Sequence, residues 1–283
     1  MKITKFNQSC LLVETNNKKF LIDPGNIGYD ESLLNEWKDI DYILITHRHG
    51  DHCNVDAINT IAKRDNAKIY TTKEVVDNTD LIAPIVVKQG EIIDLGDVKI
   101  EVTKAIHGFF TKMKKSGGEI FENVGYILDD GHKRLYTTSD TINFNNDYKC
   151  DILCMPFNGN GLTLGIIDGV MFAQDINPEL LLPIHMEHPL PFMNPDVDKL
   201  KLEIEKAMID KIKDVLIEAG SSIIMLRGTS TKNFEVMEDE FTKFGFTTDD
   251  LVSLNHTEQY KALCLIATKK GRHGCIVELP KPV

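Results

Sequence analysis

A short run rich in histidine constrains this chain more than any other feature. Residues 46–52 read Thr-His-Arg-His-Gly-Asp-His and directly follow the apolar run Tyr42–Ile45. Neutral imidazole and carboxylate are side chains with which proteins bind zinc, iron and manganese. His47 and His49 lie two residues apart, so both point the same way in an extended chain. The run therefore predicts a metal site after a strand. The alternative is a histidine-rich turn in solvent.

The composition is that of a globular protein with an acidic balance. The chain has 283 residues, of which 42% are hydrophobic and 27% charged, enough for one large domain or a domain with an appendage. Its 43 acidic and 32 basic residues leave a net charge of -11. A domain that follows a phosphate backbone is usually basic, so nucleic acid is not favoured as the main partner. A local basic patch remains compatible with this balance.

Neither a targeting segment nor a disulfide framework is evident in the sequence. Glu14 interrupts the apolar stretch near the start, and no run approaches the ~20 apolar residues of a membrane-spanning helix. We therefore expect a cytoplasmic protein without membrane insertion. The six cysteines are scattered, and Cys150 and Cys154 are expected to be small buried side chains.

Hydrophobic periodicity predicts many strands, with helices between and after them. Apolar positions at helical spacing predict helices that begin near residues 54, 73 and 196. Residues 163–175 fit a loop and a helix, and residues 238–244 are a further helix candidate. Two packed sheets with helices outside account for this order of elements, which is an α+β architecture. The predicted strands are 2–6, 10–14, 19–22, 41–46, 67–71, 85–87, 91–95, 98–105, 124–128, 134–138, 152–156, 180–184 and 222–226, with 262–267 and 274–279 as further strand candidates.

Further metal-binding side chains are expected where later strands end. Asp51 and His52 come where the chain should turn, and they can face a second ion. His107, Asp140 and His185 each follow an apolar run and precede a loop, the setting that His47 also has. Each alone is more often a capping or surface residue. Together with the first run they make seven donors at strand ends, which favours a two-metal site.

Other histidines fit the site less well. His132, His256 and His273 lack this setting and are interpreted as surface residues. His188 and Glu187 follow His185 closely, so the sequence leaves their role open.

These motifs resemble those of the metallo-β-lactamase superfamily. The His-x-His-x-Asp-His pattern, the later His107, Asp140 and His185, and the opening strands that end at Ile22-Asp23-Pro24-Gly25 match it in order and approximate spacing. The resemblance covers about residues 1–230 and implies an αββα sandwich with the site at one edge of the two sheets. It leads us to expect a hydrolase domain at residues 1–235 and a C-terminal extension of unknown role at residues 236–283.

Within the superfamily the chain resembles the branch of ascorbate-6-phosphate lactonase and related metal-dependent hydrolases. The residues that carry this likeness are Pro156-Phe157-Asn158-Gly159 and Leu182-Pro183-Ile184-His185. The branch often has Gly-His where this chain has Asn7-Gln8, and it usually has glycine where this chain has Ser139.

The resemblance also implies an assignment of ligands. The first metal would take His47, His49 and His107, the second would take Asp51, His52 and His185, and Asp140 would bridge them. Asp23 would orient a ligand histidine. The alternative for Asp23 is a turn-forming residue before Pro24.

The implied mechanism is attack by a hydroxide that bridges two divalent ions. Zinc is favoured, and manganese or iron(II) would accept the same ligands. Asp51 and Asp140 are the expected catalytic residues, with Asn158 and His188 as candidates for substrate contact. Arg48 and the loop lysines could bind a phosphorylated substrate, although a solvated loop face explains the lysines equally well. Those lysines are Lys112, Lys114 and Lys115.

The resulting hypothesis is a hydrolase of a small-molecule lactone or other ester, which the sequence allows to be phosphorylated. One alternative is a phosphodiesterase acting on nucleic acid or a phospholipid head group. Others are a non-catalytic sensor, which would usually lose ligands, and a two-iron redox protein, which would replace one histidine ligand by carboxylate. The sequence leaves the oligomeric state open, a homo-oligomer included.

Overall fold

The computed structural model describes residues 1–109, 117–144, 147–218, 221–227, 251–257, 262–269 and 272–279, with side chains as far as residue 207. The chain divides into two compact units, Met1–Leu200 and Lys201–Val283. The predicted boundary between the hydrolase domain and the C-terminal extension, at residue 235, falls within residues 228–250, which are outside the described residues. This boundary therefore stays a prediction. No helix among the described residues is long and apolar enough to cross a membrane.

The first unit contains a six-stranded sheet built from the N-terminal strands. They lie in chain order, with β1 to β3 antiparallel and β3 to β6 parallel. A parallel connection requires a crossover, and helices follow β4 and β5 for this reason. The strands are β1 (Lys2–Lys5), β2 (Leu11–Thr15), β3 (Lys18–Ile22), β4 (Tyr42–Leu44), β5 (Lys68–Thr71) and β6 (Ile85–Val86).

A second six-stranded sheet packs against the first. Its order is β12-β11-β10-β9-β8-β7, with the β10–β12 side parallel and the β7–β10 side antiparallel. The strands are β7 (Ile92–Asp94), β8 (Lys99–Ala105), β9 (Asn123–Asp129), β10 (Arg134–Thr137), β11 (Ile152–Pro156) and β12 (Leu180–Ile184).

Alternation along β2 shows how the layers form. Leu11 and Val13 lie in the core between the two sheets, where they join Val102 and Tyr126 of the second sheet. Leu12 points the opposite way, into the core under the outer helices. Both faces of the strand are apolar because one faces a sheet and the other a helix layer.

Helices cover the outer faces of both sheets. Helix α2 begins after Asn54, whose side chain accepts a hydrogen bond from Ala57 N, and it buries Ile58 and Ile61. On the second sheet, Gly169 of helix α4 lies so close to Phe157 that an added Cβ would be 2.7 Å from that ring. The helices of this unit are α1 (Leu33–Glu36), α2 (Val55–Asp65), α3 (Lys73–Asn78), α4 (Ile166–Ile176) and a 3₁₀ turn at Pro191–Met193.

The second unit contains a four-stranded sheet of order β13-β16-β15-β14, with β13 parallel to β16 and the remaining pairs antiparallel. Most of helix α5 (Val197–Glu218) belongs to it. The strands are β13 (Ser221–Arg227), β14 (Leu251–Thr257), β15 (Ala262–Lys269) and β16 (Arg272–Leu279).

The predicted αββα sandwich of two mixed sheets is confirmed. The predicted strands are present with ends shifted by a few residues, and the helices near 54, 73 and 196 and within 163–175 are present as well. The candidate helix at 238–244 lies outside the described residues. Helix α1 and the 3₁₀ turn were not predicted, because each is a single turn without an amphipathic period. Strand β14 was not predicted either.

Candidate metal centre

The histidine-rich run lies at the end of β4, where the backbone turns into α2. His52 N and Cys53 N both donate to His49 O, so the turn is closed by its own hydrogen bonds. The Pro24-Gly25 loop packs against it, and a Cβ on Gly25 would lie 1.8 Å from Asp51 O. Only glycine fits at this approach, so the strand end and the turn hold the donors of the run on one edge of the sheet.

The structure brings His47, His49 and His107 together as a first donor group. One ring nitrogen from each lies within 4.8 Å of those of the others. His47 Nε2 and His49 Nδ1 are 3.2 Å apart. His107 reaches them from the end of β8, on the second sheet.

A second donor group consists of Asp51, His52 and His185. One ligand atom from each lies within 4.8 Å of those of the other two. His185 Nε2 lies 3.0 Å from Asp51 Oδ2, and His52 Nε2 lies 3.8 Å from the same oxygen. His185 follows β12, so this group also draws on both sheets.

Asp140 lies between the two groups. Its Oδ2 is 3.5 Å from His52 Nε2, 3.8 Å from His107 Nε2 and 3.3 Å from His185 Nε2. The carboxylate is buried, and its backbone carbonyl accepts a hydrogen bond from Asn123 Nδ2. This is the placement that a bridging ligand requires.

Hydrogen bonds on the outer nitrogens define the tautomers of the first group. Thr46 Oγ1 donates to Asp23 Oδ2, so it accepts from His47 Nδ1 at 3.0 Å. His49 Nε2 donates to Gly118 O at 2.8 Å. The two inner nitrogens, His47 Nε2 and His49 Nδ1, therefore carry lone pairs rather than protons.

The residues fit a divalent transition metal. Two unprotonated nitrogens 3.2 Å apart repel one another unless a cation lies beside both. His52 Nε2, His107 Nε2 and Asp140 Oδ1 are buried and make no hydrogen bond within the described part of the chain. Such buried unsatisfied atoms are costly unless a ligand satisfies them, and five imidazoles with two carboxylates suit zinc, iron or manganese.

The pKa shifts of His47, in the first donor group, and His52, in the second, have opposite directions. Burial and the nearby His52, His107 and His49 hold the pKa of His47 well below its usual range, so this imidazole stays neutral. Burial opposes charge on His52, yet the carboxylates of Asp140, Asp51 and Asp23 raise its pKa well above the usual range. Burial would raise the pKa of Asp140, but the histidines around it, His185 and His52 foremost, hold that pKa well below its usual range.

Asp23 contacts a donor histidine and also forms the turn before Pro24. Its Oδ2 accepts from His52 Nδ1 at 2.9 Å, and its Oδ1 accepts from Thr46 N at 2.8 Å. Its φ of 47° lies in the left-handed region, and the side chain is fully buried. The contact with His52 and the turn conformation thus occur together at Asp23, and its role in orienting a ligand histidine stays a prediction.

Asn158 and His188, the candidates for substrate contact, differ in their surroundings. Asn158 Nδ2 donates to the backbone carbonyls of His185 and Met193, so its amide hydrogens are engaged. The His188 ring lies parallel to that of His185, with centroids 6.4 Å apart, and its Nδ1 accepts from Leu190 N. Among the described residues His188 Nε2 has no hydrogen-bond partner, which leaves this atom available to a substrate.

Arg48 is held by other groups of the protein. Its Nε donates to Glu74 Oε1 at 3.0 Å, and its Nη2 donates to Gly117 O and Glu119 O. Glu74 Oε2 in turn accepts from the backbone N–H groups of residues 121 and 122. Arg48 thus ties residues 117–122 to the histidine-rich run. Lys112, Lys114 and Lys115 lie outside the described residues.

Sequence reasoning missed several residues that shape the site. Ser139 has a φ of 60°, at the position where the resembling branch has glycine, and its hydroxyl donates to Asn123 Oδ1. No sequence motif pointed to Glu74, because it lies in helix α3, distant in sequence from the histidine-rich run. Gln8 accepts a hydrogen bond from His185 N. The departures at Asn7-Gln8 and Ser139 were the available clues.

Among the remaining predicted residues, His132 is exposed in the turn between β9 and β10, at the opposite end of β10 from Asp140. The side chains of His256 and His273 lie outside the description. Cys154 is buried, Cys150 is half-buried, and both are free. Burial raises the pKa of the Cys150 thiol to about 12.

Comparison with known proteins gives a consistent picture. A family model described as a β-lactamase superfamily domain matches residues 2–185, so the match ends at the last donor histidine. A UPF0173 metal-dependent hydrolase of Staphylococcus carnosus is 28% identical over 229 residues, covering 75% of this chain and 96% of that protein. One from Carboxydothermus hydrogenoformans is 30% identical over 196 residues, covering 65% and 84%.

A solved structure shares the fold. Igni18, described as a novel metallo hydrolase from Ignicoccus hospitalis, superposes with a TM-score of 0.60 at 23% identity. The match covers 73% of this chain and 91% of that one. At this identity the likeness concerns the fold alone.

Proposed function

Because the chain belongs to the metallo-β-lactamase superfamily, we propose that it is a metal-dependent hydrolase that cleaves a small carboxylic ester or lactone with two bound metal ions. The family relatives named metal-dependent hydrolases support the reaction type. The observation that carries the two-metal proposal is the position of Asp140 Oδ2, within 3.8 Å of histidines from both donor groups.

The two donor groups have distinct tasks in this proposal. One ion would be held by His47, His49 and His107. The other would be held by Asp51, His52 and His185, and Asp140 would bind both ions. When bound, such ions lower the pKa of a water molecule and polarise a carbonyl oxygen.

Asp51 is placed to take the proton that water releases. Its side chain is 18% exposed against 5% for Asp140, so it is the donor carboxylate that faces solvent. Burial would raise the pKa of Asp51, yet His52 and His185 hold it well below its usual range. The carboxylate is therefore ionised at neutral pH, as a metal ligand must be, and its part in the proton transfer rests on its position rather than on its basicity.

The loops beside the donors present apolar side chains, which favours a substrate with an apolar part. Phe109 is 60% exposed, Ile142 44% and Phe192 64%. Phe109 and Ile142 come two residues after His107 and Asp140 in the chain. Large exposed apolar groups around a site often mark where a ligand binds.

Backbone and side-chain hydrogen bonds connect the loops that carry these apolar side chains. Gly108 N donates to Leu162 O, Ile142 N donates to Ile106 O, and Asn160 Nδ2 donates to Phe192 O. The three apolar side chains, Phe109, Ile142 and Phe192, thus belong to loops that are hydrogen-bonded to neighbouring segments.

A phosphorylated substrate has less support from the described residues. Arg48, the cation inside the histidine-rich run, is engaged with Glu74 and two carbonyls. The net charge of -11 also disfavours a phosphodiester polymer as substrate. A phosphodiesterase is therefore the second candidate rather than the first.

One assay panel separates these candidates. Zinc-loaded protein is given an alkyl-substituted lactone, an unsubstituted lactone, a phosphorylated sugar lactone and bis-p-nitrophenyl phosphate. We expect the highest kcat/KM on the alkyl-substituted lactone, and loss of the activity in His49→Ala but not in the exposed control His132→Ala. Turnover of the phosphodiester alone would replace this proposal by the second candidate.

A further inference from the structure

His185 differs from the other donor histidines in what orients its ring. The outer ring nitrogens of the other four each contact an oxygen, namely Thr46 Oγ1, Gly118 O, Asp23 Oδ2 and Gly108 O. His185 Nδ1 is buried and has no hydrogen-bond partner within the described residues. A metal-bound histidine is usually oriented through this outer nitrogen, so His185 needs another support.

The backbone of His185 supplies that support. Its φ is 59°, in the left-handed region that residues other than glycine rarely adopt. His185 N donates to Gln8 O at 2.9 Å, and His185 O accepts from Asn158 Nδ2 at 2.8 Å. Both peptide groups of the residue are thereby held from outside its own segment, which keeps the unusual conformation in place.

Gln8 and Glu187 bind each other reciprocally beside this backbone. Gln8 N donates to Glu187 Oε2 at 2.9 Å, and Glu187 N donates to Gln8 Oε1 at 3.2 Å. Lys5 Nζ lies 2.6 Å from the other Glu187 oxygen. Gln8 is fully buried and has a φ of 56°. The turn after β1 and the segment after β12 are thus joined by three bonds, the one from His185 N included.

We propose that Gln8 and Glu187 are positioning residues that direct His185 Nε2 into the second donor group through its backbone. This inference rests on the proposed function, because it concerns a metal held there. Without the reciprocal bonds the backbone bond from His185 N to Gln8 O is the one link left between the segment 185–187 and residue 8, so the left-handed conformation of His185 is held less firmly. The second donor group then holds His185 Nε2 less firmly, while the first group is untouched.

The test is a zinc titration of the metal-free full chain by calorimetry, with a competing chelator. We expect the variants Glu187→Ala and Gln8→Ala to bind the second zinc ion about 10- to 100-fold more weakly than wild type. Their affinity for the first zinc ion should be unchanged. Glu187→Gln should recover most of the affinity, since its amide oxygen still accepts from Gln8 N. Glu179→Ala is the matched control, because Glu179 is an exposed carboxylate paired with Lys133.

Wild-type affinity for both equivalents in Glu187→Ala and Gln8→Ala would overturn the inference. So would an equal loss at both equivalents, because that pattern indicates a general effect on the fold. Glu187→Gln that behaves like Glu187→Ala would also contradict it. A wild-type chain that binds no zinc would instead refute the proposed function, and the positioning role with it.

Discussion

His47 and His49 place two unprotonated ring nitrogens, Nε2 and Nδ1, 3.2 Å apart on one side of the strand end. Their outer nitrogens are engaged by Thr46 Oγ1 and Gly118 O, so neither ring can donate a proton to the other. The arrangement is unfavourable without a cation, and the first prediction follows from it.

Metal binding should stabilise the folded chain. We expect about two transition-metal ions per chain after reconstitution, measured by elemental analysis. For each of the two ions, free metal at about 100 times its dissociation constant should raise the free energy of unfolding by about 2.7 kcal/mol, visible as a higher melting temperature that EDTA reverses. A chain that retains no metal and whose melting temperature is insensitive to EDTA would contradict the two-metal proposal.

Asp140→Ala should abolish hydrolysis, because it removes a carboxylate that lies close to both donor groups. The loss should exceed the 10- to 100-fold typical of outer-shell substitutions. Circular dichroism should show an intact fold. Retention of the wild-type rate would remove Asp140 from the site.

Asp23→Asn should weaken metal binding by about 10- to 100-fold through His52, since the amide can no longer present a charged acceptor to His52 Nδ1. Calorimetric titration with zinc measures the effect. The loss should fall on the equivalent that His52 binds, and an unchanged affinity would leave Asp23 with its turn-forming role alone.

Arg48→Ala should loosen residues 117–122 rather than remove a phosphate contact. The guanidinium joins Glu74 to two carbonyls of that segment, so limited proteolysis should cleave the variant there faster than wild type. KM for a phosphorylated and an unphosphorylated lactone should change by the same factor. A selective rise in KM for the phosphorylated substrate would show instead that Arg48 binds phosphate.

Cys150 should react slowly with iodoacetamide at about pH 8, because the thiolate is the nucleophile and burial raises the pKa of this thiol to about 12. Mass spectrometry of tryptic peptides at successive times measures the rate against free cysteine. A rate equal to that of free cysteine would mean that the thiol is more accessible than the structure shows.

The fold was largely predictable because local patterns encode it. The opposed burial of Leu11 and Leu12 follows from a strand with apolar residues on both faces, and Asn54 begins a helix through its own side chain. The superfamily, expected from the order of the motifs, is confirmed by the family model. The likeness to the lactonase branch stays a prediction.

The sequence by itself determined the donor types, the spacing that makes His47 and His49 neighbours, and the strand ends at which His107, Asp140 and His185 lie. Only the tertiary structure decided which ring nitrogens face inward, that Arg48 is bound to Glu74, and that Gln8 holds the backbone of His185. The physical reason is that spacing along one strand is a local property. Hydrogen bonds between distant segments depend instead on how the two sheets pack, and no short pattern encodes that packing.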